Sequence, residues 1–304
     1  MKRVYTEELH AGMIVARTVM GSEGRTLITQ NTEITANLIR KLQELGIASV
    51  FVKDNLVDME AEDIVSNKVL TTVSSTLKHS LNAFSSGKAL EMTSLRKSVN
   101  LLIDEVVLNR NILIQKEEIR SQEDYYFFHP INVSIYAIMT GLSLGYPEGN
   151  IMDLGLGALL HDIGMVTIDR SIINNPGALN QQEMEAIREH PIIGFNILRN
   201  YHELSTTATH IAYQHHERVD GSGYPRGLRS KEIVEYAKIT AVADTFDAVI
   251  SDHPYRKAYS TTDGLTVLKG LQNTYFDLDI VDAFTSNIAV YPMGSLIRLN
   301  DGHI

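Results

Sequence analysis

Leu159-Leu160-His161-Asp162-Ile163-Gly164 sets two apolar residues directly against an adjacent imidazole and carboxylate, then closes on a glycine. Burying both polar groups without partners is costly. Two arrangements satisfy them: a His-Asp hydrogen bond near a helix end, or a metal ion shared by both. The dipeptide alone favours the hydrogen bond, so the rest of the chain has to decide.

The apolar residues on either side of this stretch recur at helical spacing. Ile131, Ile135, Ile138 and Met139 form one stripe, and Leu154, Ala158 and Leu159 another. Met184, Ile187, Ile192 and Ile193 fit a third, with Pro191 starting a new helix or kinking the old one. Lys238 to Ser251 is a further helix candidate. Alternation of the strand type is expected only near the end, at Ser295-Leu296-Ile297-Arg298-Leu299, and Asp301-Gly302-His303-Ile304 reads as a hairpin turn cut short. Residues 119–304 are therefore expected to be an all-helical bundle with polar groups projecting inward.

The rest of the chain is simpler. Residues 1–55 read as a small α+β domain. Met13-Ile14-Val15-Ala16, Thr26-Leu27-Ile28 and Ser49-Val50-Phe51-Val52 are strand candidates, with a turn at Gly21-Ser22-Glu23-Gly24 and a helix from Ala36 to Leu45 stopped by Gly46. Residues 56–118 read as a helical linker. Leu70, Val73, Leu77, Leu81 and Phe84 follow one stripe, and Met92, Leu95, Val99, Leu102 and Val106 follow the next, across a break at Ser85-Ser86-Gly87. These helices are also candidates for a homodimer seam.

Composition narrows the chemistry. The formal charge of −10 argues against a nucleic-acid polymer as partner. The chain has no cysteine, so any metal must sit on His, Asp or Glu. No membrane span is expected, because no stretch approaches ~18 apolar residues. No signal peptide is read at Met1-Lys2-Arg3, and the expected location is cytoplasmic.

Seven of the eleven histidines lie between positions 129 and 216. The candidate ligands are His129, His161, Asp162, His190, His215, His216 and Asp244. Neighbours on a helix point about 100° apart, so His161-Asp162 and His215-His216 cannot each chelate one ion ideally. Two ions ~3.5–4 Å apart could use both members of each pair, an arrangement suited to phosphoryl chemistry.

His161-Asp162-Ile163-Gly164, His190, His215-His216-Glu217, Asp220-Gly221-Ser222-Gly223-Tyr224-Pro225 and Val242-Ala243-Asp244-Thr245-Phe246-Asp247-Ala248 together resemble the HD-GYP family of the HD phosphohydrolase superfamily. The resemblance covers residues 120–300 or so, and residues 1–55 more weakly resemble a small domain found ahead of such domains. It implies metal-dependent hydrolysis of cyclic di-GMP to the linear dinucleotide pGpG or to GMP. It also implies two divalent ions, iron first and manganese second, held by the seven residues above. His161 and Asp162 stand at the catalytic centre, with Asp162 as the bridge. Tyr224, Asp247, His253 and Arg256 are the expected substrate contacts, with Asp247 holding Arg256 or His253. Glu217 is expected to support the ligands from behind. The Gly223-Tyr224-Pro225 loop is an implied docking surface for diguanylate cyclase (GGDEF) domains.

Three positions depart from the family pattern. Met165 stands where a phosphate-binding lysine is usual, and His253 where an arginine is usual. Tyr125 replaces the glutamate of members with three metals, so two metals are expected rather than three. These changes make a weakly active or inactive cyclic-dinucleotide-binding or partner-docking module the alternative expectation.

Overall fold

A computed structural model describes residues 2–20, 26–47, 49–53, 64–114, 122–173, 175, 177–251 and 258–291. The expected turn at Gly21-Gly24, the strand at Ser295-Leu299, and His253 and Arg256 lie outside the described residues. So do the side chains of Glu123, Asp124 and Tyr125.

The chain forms two compact units. The first comprises residues 1–63, 114–126 and 289–304. Strand β1 (Lys2–Tyr5) pairs antiparallel with β4 (Ser49–Val52), Lys2 opposite Val52, and β2 (Val19–Met20) pairs with β3 (Thr26–Ile28). Helix α1 (Ala36–Glu44) opens on Thr35, whose hydroxyl accepts the Leu38 N–H at 3.2 Å. It ends before Gly46, where φ is +66° as a left-handed cap requires. Val15, Ile34, Leu42, Ile47 and Val50 form the core. Met13–Ala16 is not a full strand: only Ile14 and Val15 form isolated bridges, to Glu33 and Val52. β3 takes Val19 rather than this segment as its partner.

The second unit, residues 64–113 and 127–288, is helical. Helices α2 (Asn67–Ser85) and α3 (Met92–Leu108) pack on each other and belong to this unit, although the sequence suggested a separate linker. The reason lies in α3, which packs on α5 as well as on α2, with Val99 set against Gly155 of α5. Next come α4 (Gln122–Ser143), α5 (Glu148–Leu159), the four-residue α6 (Arg170–Ile173), α7 (Gln181–Arg188), α8 (His190–Leu198), α9 (Thr206–Gln214) and α10 (Glu235–Ile250). Helices α11 (Thr261–Gly270) and α12 (Leu278–Thr285) follow. Pro191 opens α8, which separates Met184 and Ile187 from Ile192 and Ile193.

The core places α5 against α9, α9 against α8 and α10, and α10 against α11 and α12. Tyr136, Phe246 and Phe284 meet edge-to-face with centroids 5.1–5.8 Å apart and join α4, α10 and α12. No described helix is long and apolar enough to cross a membrane.

Candidate metal centre

The paired residues do not sit in helix interiors. His161 and Asp162 follow the last residue of α5, His190 opens α8 just past α7, and His215-His216 follows α9. The 100° separation argued for neighbours on a helix therefore does not apply, and both members of each pair reach the same cavity. The helix ends also orient the rings. A last helical turn leaves carbonyls without intrahelical partners. His161 Nδ1 lies 2.8 Å from Ala158 O, His190 Nδ1 2.7 Å from Ile187 O, and His215 Nδ1 3.1 Å from both Ile211 O and Ala212 O. A carbonyl only accepts, so each of these Nδ1 atoms carries a proton, and in the neutral ring that a metal ion requires each Nε2 presents the lone pair. His129, on α4, is turned the same way by a carboxylate, with Nδ1 2.7 Å from Asp247 Oδ2.

These Nε2 atoms converge on Asp162 and Asp244. Asp162 Oδ1 is 3.2 Å from His190 Nε2 and 3.5 Å from His215 Nε2. Its Oδ2 is 3.3 Å from His161 Nε2 and 4.0 Å from His129 Nε2. Asp244, on α10, is 3.2 Å from His129 Nε2 through Oδ1 and 4.0 Å from His216 Nδ1 through Oδ2. Two ligand groups result: Asp162, His190, His215 and His216, and beside it His129, His161 and Asp244.

Two observations test whether cations fit this donor set. His161 Nε2 is wholly buried yet has no hydrogen-bond partner, an arrangement that costs on the order of 1–3 kcal/mol unless something binds there. His190 Nε2 and His215 Nε2 lie 3.2 Å apart with their lone pairs facing. Only a proton or a cation relieves that repulsion. The C-termini of α5 and α9, with their negative dipole ends, favour the same sign of charge. The set is all nitrogen and oxygen, as suits a borderline or hard divalent ion.

Electrostatics put most of these groups in ligand form. Burial works against the Asp162 carboxylate, but His161, His190 and His215 outweigh it and hold its pKa well below the usual range. Asp244 is lowered likewise, burial being overcome by its hydrogen bond to His129. Burial lowers His215 and His216 and keeps them neutral. His129 and His161 differ: burial opposes their charge, but the hydrogen bonds to Asp244 and Asp247 outweigh this at His129 and raise its pKa to about 10, and the charge of Asp162 with its hydrogen bond outweighs it at His161 and raises that ring as well. A cation at His129 therefore displaces a proton.

Asp247 was expected to hold Arg256 or His253, which lie outside the described residues. It is fully buried, and accepts from His129 Nδ1 and, at 3.0 Å, from Asn132 Nδ2. It is the carboxylate that sets the tautomer of His129. Glu217 is also buried, but it holds a loop rather than a ligand: Oε1 accepts the Arg226 N–H at 2.8 Å and Oε2 the Leu228 N–H at 2.9 Å. This strap carries Gly223-Tyr224-Pro225. A Cβ at Gly223 would lie 2.4 Å from Arg218 N, so only glycine lets the loop fold back on His216. The Tyr224 ring then stacks on His216, centroids 4.7 Å apart at 23°. Burial raises the Tyr224 phenol, and the charges of Asp162 and Asp244 add to this, so it stays protonated. Asn132 has no counterpart in the sequence reading. The sole signal was its position three residues after His129.

Glu217→Ala removes two charge-assisted hydrogen bonds and leaves the Leu228 N–H buried. The expected result is faster tryptic cleavage within 218–229, with metal content unchanged because Glu217 is in neither ligand group. Loss of metal with the loop still protected would show that Glu217 acts on the ligands instead.

Inward-facing histidines and aspartates at helix ends within a bundle define an HD-type domain, a class that binds divalent metals. The family model described as an HD domain matches residues 100–280, more than half of the chain. The chain belongs to that family and, with Gly223-Tyr224-Pro225, to its HD-GYP branch.

Among relatives, it is 31% identical over 218 residues to "Cyclic di-GMP phosphodiesterase PA4108" of Pseudomonas aeruginosa, covering 72% of this chain and 52% of that protein. It is 38% identical over 142 residues to "Cyclic di-GMP phosphodiesterase" of Thermotoga maritima, covering 46% of this chain and 39% of that one. It is 28% identical over 193 residues to "3'3'-cGAMP-specific phosphodiesterase 3" of Vibrio cholerae, covering 64% and 42%. The chain thus spans about half or less of the length of these relatives. The solved structure "Bd1817, a HDG"Y"P protein from Bdellovibrio bacteriovorus" superposes with a TM-score of 0.60 at 15% identity, over 94% of this chain and 98% of that one, which shows the shared fold.

Proposed function

We propose that this chain hydrolyses the phosphodiester bonds of cyclic di-GMP to pGpG, GMP or both, using two divalent ions per chain, iron first and manganese second. The observation that carries this reading is the division of Asp162 between the two ligand groups, Oδ1 toward His190 and His215 and Oδ2 toward His161 and His129. Asp162, His190, His215 and His216 would hold one ion, and His129, His161 and Asp244 the other. Ions bound there supply Lewis-acid charge for the phosphoryl oxygens and a water of lowered pKa.

The side chains do the remaining work. Ala158, Ile187 and the last turn of α9 fix which nitrogen of His161, His190 and His215 faces inward. Asp247 does the same for His129. Tyr224 Oη, kept protonated, is a donor at the lip of the site for an oxygen of the substrate. The substrate class rests on the names of the relatives, most of them cyclic di-GMP phosphodiesterases. A cytoplasmic location fits a second-messenger substrate.

The second reading is a domain that binds a cyclic dinucleotide, or docks a GGDEF domain through Gly223-Tyr224-Pro225, without turnover. It is favoured by Met165, half-buried in the turn just after Asp162, where the family pattern has a lysine. A homodimer built on α3 is proposed with either reading, from the exposure of Leu101, Val107 and Leu108; a monomer mass in light scattering would remove it.

The test is anaerobic loading with iron or manganese, addition of cyclic di-GMP, and chromatography of the products. The expected result is pGpG or GMP, absent from a His161→Ala/Asp162→Ala control. Binding without product would replace the enzyme reading by the second one.

A further inference from the structure

We propose that Arg188 is the phosphate anchor of this site: its guanidinium, held over the Tyr224 ring at the rim of the ligand cluster, takes a non-bridging oxygen of the substrate phosphate. The inference deepens the phosphodiesterase reading and rests on it.

Arg188 is the last residue of α7, two positions before His190. Its Cζ lies 5.2 Å from the Tyr224 ring centroid, and that ring stacks on His216. A continuous contact therefore runs from Arg188 at the surface, through Tyr224, to a side chain of the ligand group. A stacked guanidinium keeps its N–H edge free in its own plane, so stacking positions the fork without using its donors.

Of the other cations around this loop, Arg218 and Lys238 have their donors engaged, and Arg226 stacks on a ring, Tyr213, that does not lie against a ligand. Arg218 lies over the Tyr275 and Phe276 rings, with one nitrogen 3.4 Å from both His215 O and Glu217 O. Arg226 lies over Tyr213, 6.0 Å from its centroid, and Lys238 pairs with Asp277 at 3.2 Å. Arg188 is exposed, and among the described residues no carboxylate lies within ion-pair distance of it and no hydrogen bond occupies it. The C-terminal position on α7 suits a cation locally but leaves the head group unspent.

An incoming phosphodiester carries its own negative charge, and Met165 beside Asp162 offers none of the opposite sign. A bidentate guanidinium at the rim supplies that charge and fixes which oxygen faces inward.

The test compares wild type, Arg188→Ala, Arg188→Lys and Arg199→Ala, all metal-loaded. Calorimetric titration with cyclic di-GMP, GMP and inorganic phosphate is run beside metal analysis and steady-state kinetics. Arg188→Ala is expected to weaken cyclic di-GMP binding about tenfold or more and to raise KM more than it lowers kcat. Metal content should not change. Arg188→Lys should recover part of the loss, because it restores the charge but not the fork, and exposed Arg199→Ala should match wild type. A loss confined to inorganic phosphate and GMP, with cyclic di-GMP affinity unchanged, overturns the proposal, as does a fall in metal content. Wild type that binds no cyclic dinucleotide overturns the substrate reading and this anchor together. Equal affinities in wild type and Arg188→Ala overturn the anchor alone.

Discussion

Asp162→Ala is expected to lower bound metal from about two ions per chain toward none and to reduce phosphodiesterase turnover at least ~10³-fold, which corresponds to ~4 kcal/mol in the barrier. Among the described residues, no other side chain has one carboxylate oxygen against two histidines of one group and the second oxygen against two of the other. Its removal leaves His161, His190 and His215 facing each other without an anion between them. His216→Ala makes the informative contrast. His216 is a member of one ligand group only, so its loss should cost one ion and leave the other. Both variants should fold, since the Tyr136, Phe246 and Phe284 cluster does not involve them. Elemental analysis after anaerobic loading, with chromatography of products, measures both effects. An Asp162→Ala protein that retained two ions would refute the shared-carboxylate arrangement.

Gly164→Ala is expected to be the most damaging single methyl group in the chain's second unit. A Cβ there would lie 2.1 Å from His190 O and 2.9 Å from both His190 C and Gly194 N. All three are backbone atoms, so nothing can swing aside. The turn that carries His161 and Asp162 would have to lift off α8, which carries His190. Overpacking of this kind costs ~1–3 kcal/mol or more, and a melting temperature lower by roughly 5–10 °C follows at ~2–4 °C per kcal/mol for a domain of this size. The same movement separates His190 from Asp162, so metal affinity should fall with it. Gly149→Ala is the control. It sits in α5 with nothing within 4 Å of its Cβ, and alanine there should be neutral or slightly stabilising. Differential scanning calorimetry of the two variants separates a steric effect from a general intolerance of substitution. Equal melting temperatures would show that the turn and α8 can move apart freely.

Much of this was legible in the chain itself. The 3- and 4-residue spacing of Leu70, Val73 and Leu77 on α2, and of Leu95, Val99 and Leu102 on α3, is a local property, and those residues are buried as the spacing requires. The seven candidate ligands carry chemistry that an apolar core does not use, and the structure brings all of them together. The helix of residues 36–44 announced itself through its apolar spacing and through Gly46 just past its end, while its cap at Thr35 came from the structure.

Other features were not legible. The contact of Asp247 with His129, 118 residues away, leaves no signal in the neighbourhood of either residue. Glu217 looked like support for the ligands, yet its carboxylate is spent on backbone N–H groups nine and eleven residues further on. The linker helices look separable in a one-dimensional reading, because amphipathic spacing does not say what covers the stripe.

The sequence by itself determined the helices whose apolar residues recur at 3- and 4-residue spacing, and which residues can ligate, since periodicity and side-chain chemistry are local properties; the helices at 206–214, 261–270 and 278–285 were not among those read. Only the tertiary structure decided that His161-Asp162 and His215-His216 stand at helix ends, where last-turn carbonyls choose the tautomer and aim each ring. That choice depends on where each helix stops and what packs against it. Such distances arise between elements far apart in the chain, and no local pattern encodes them.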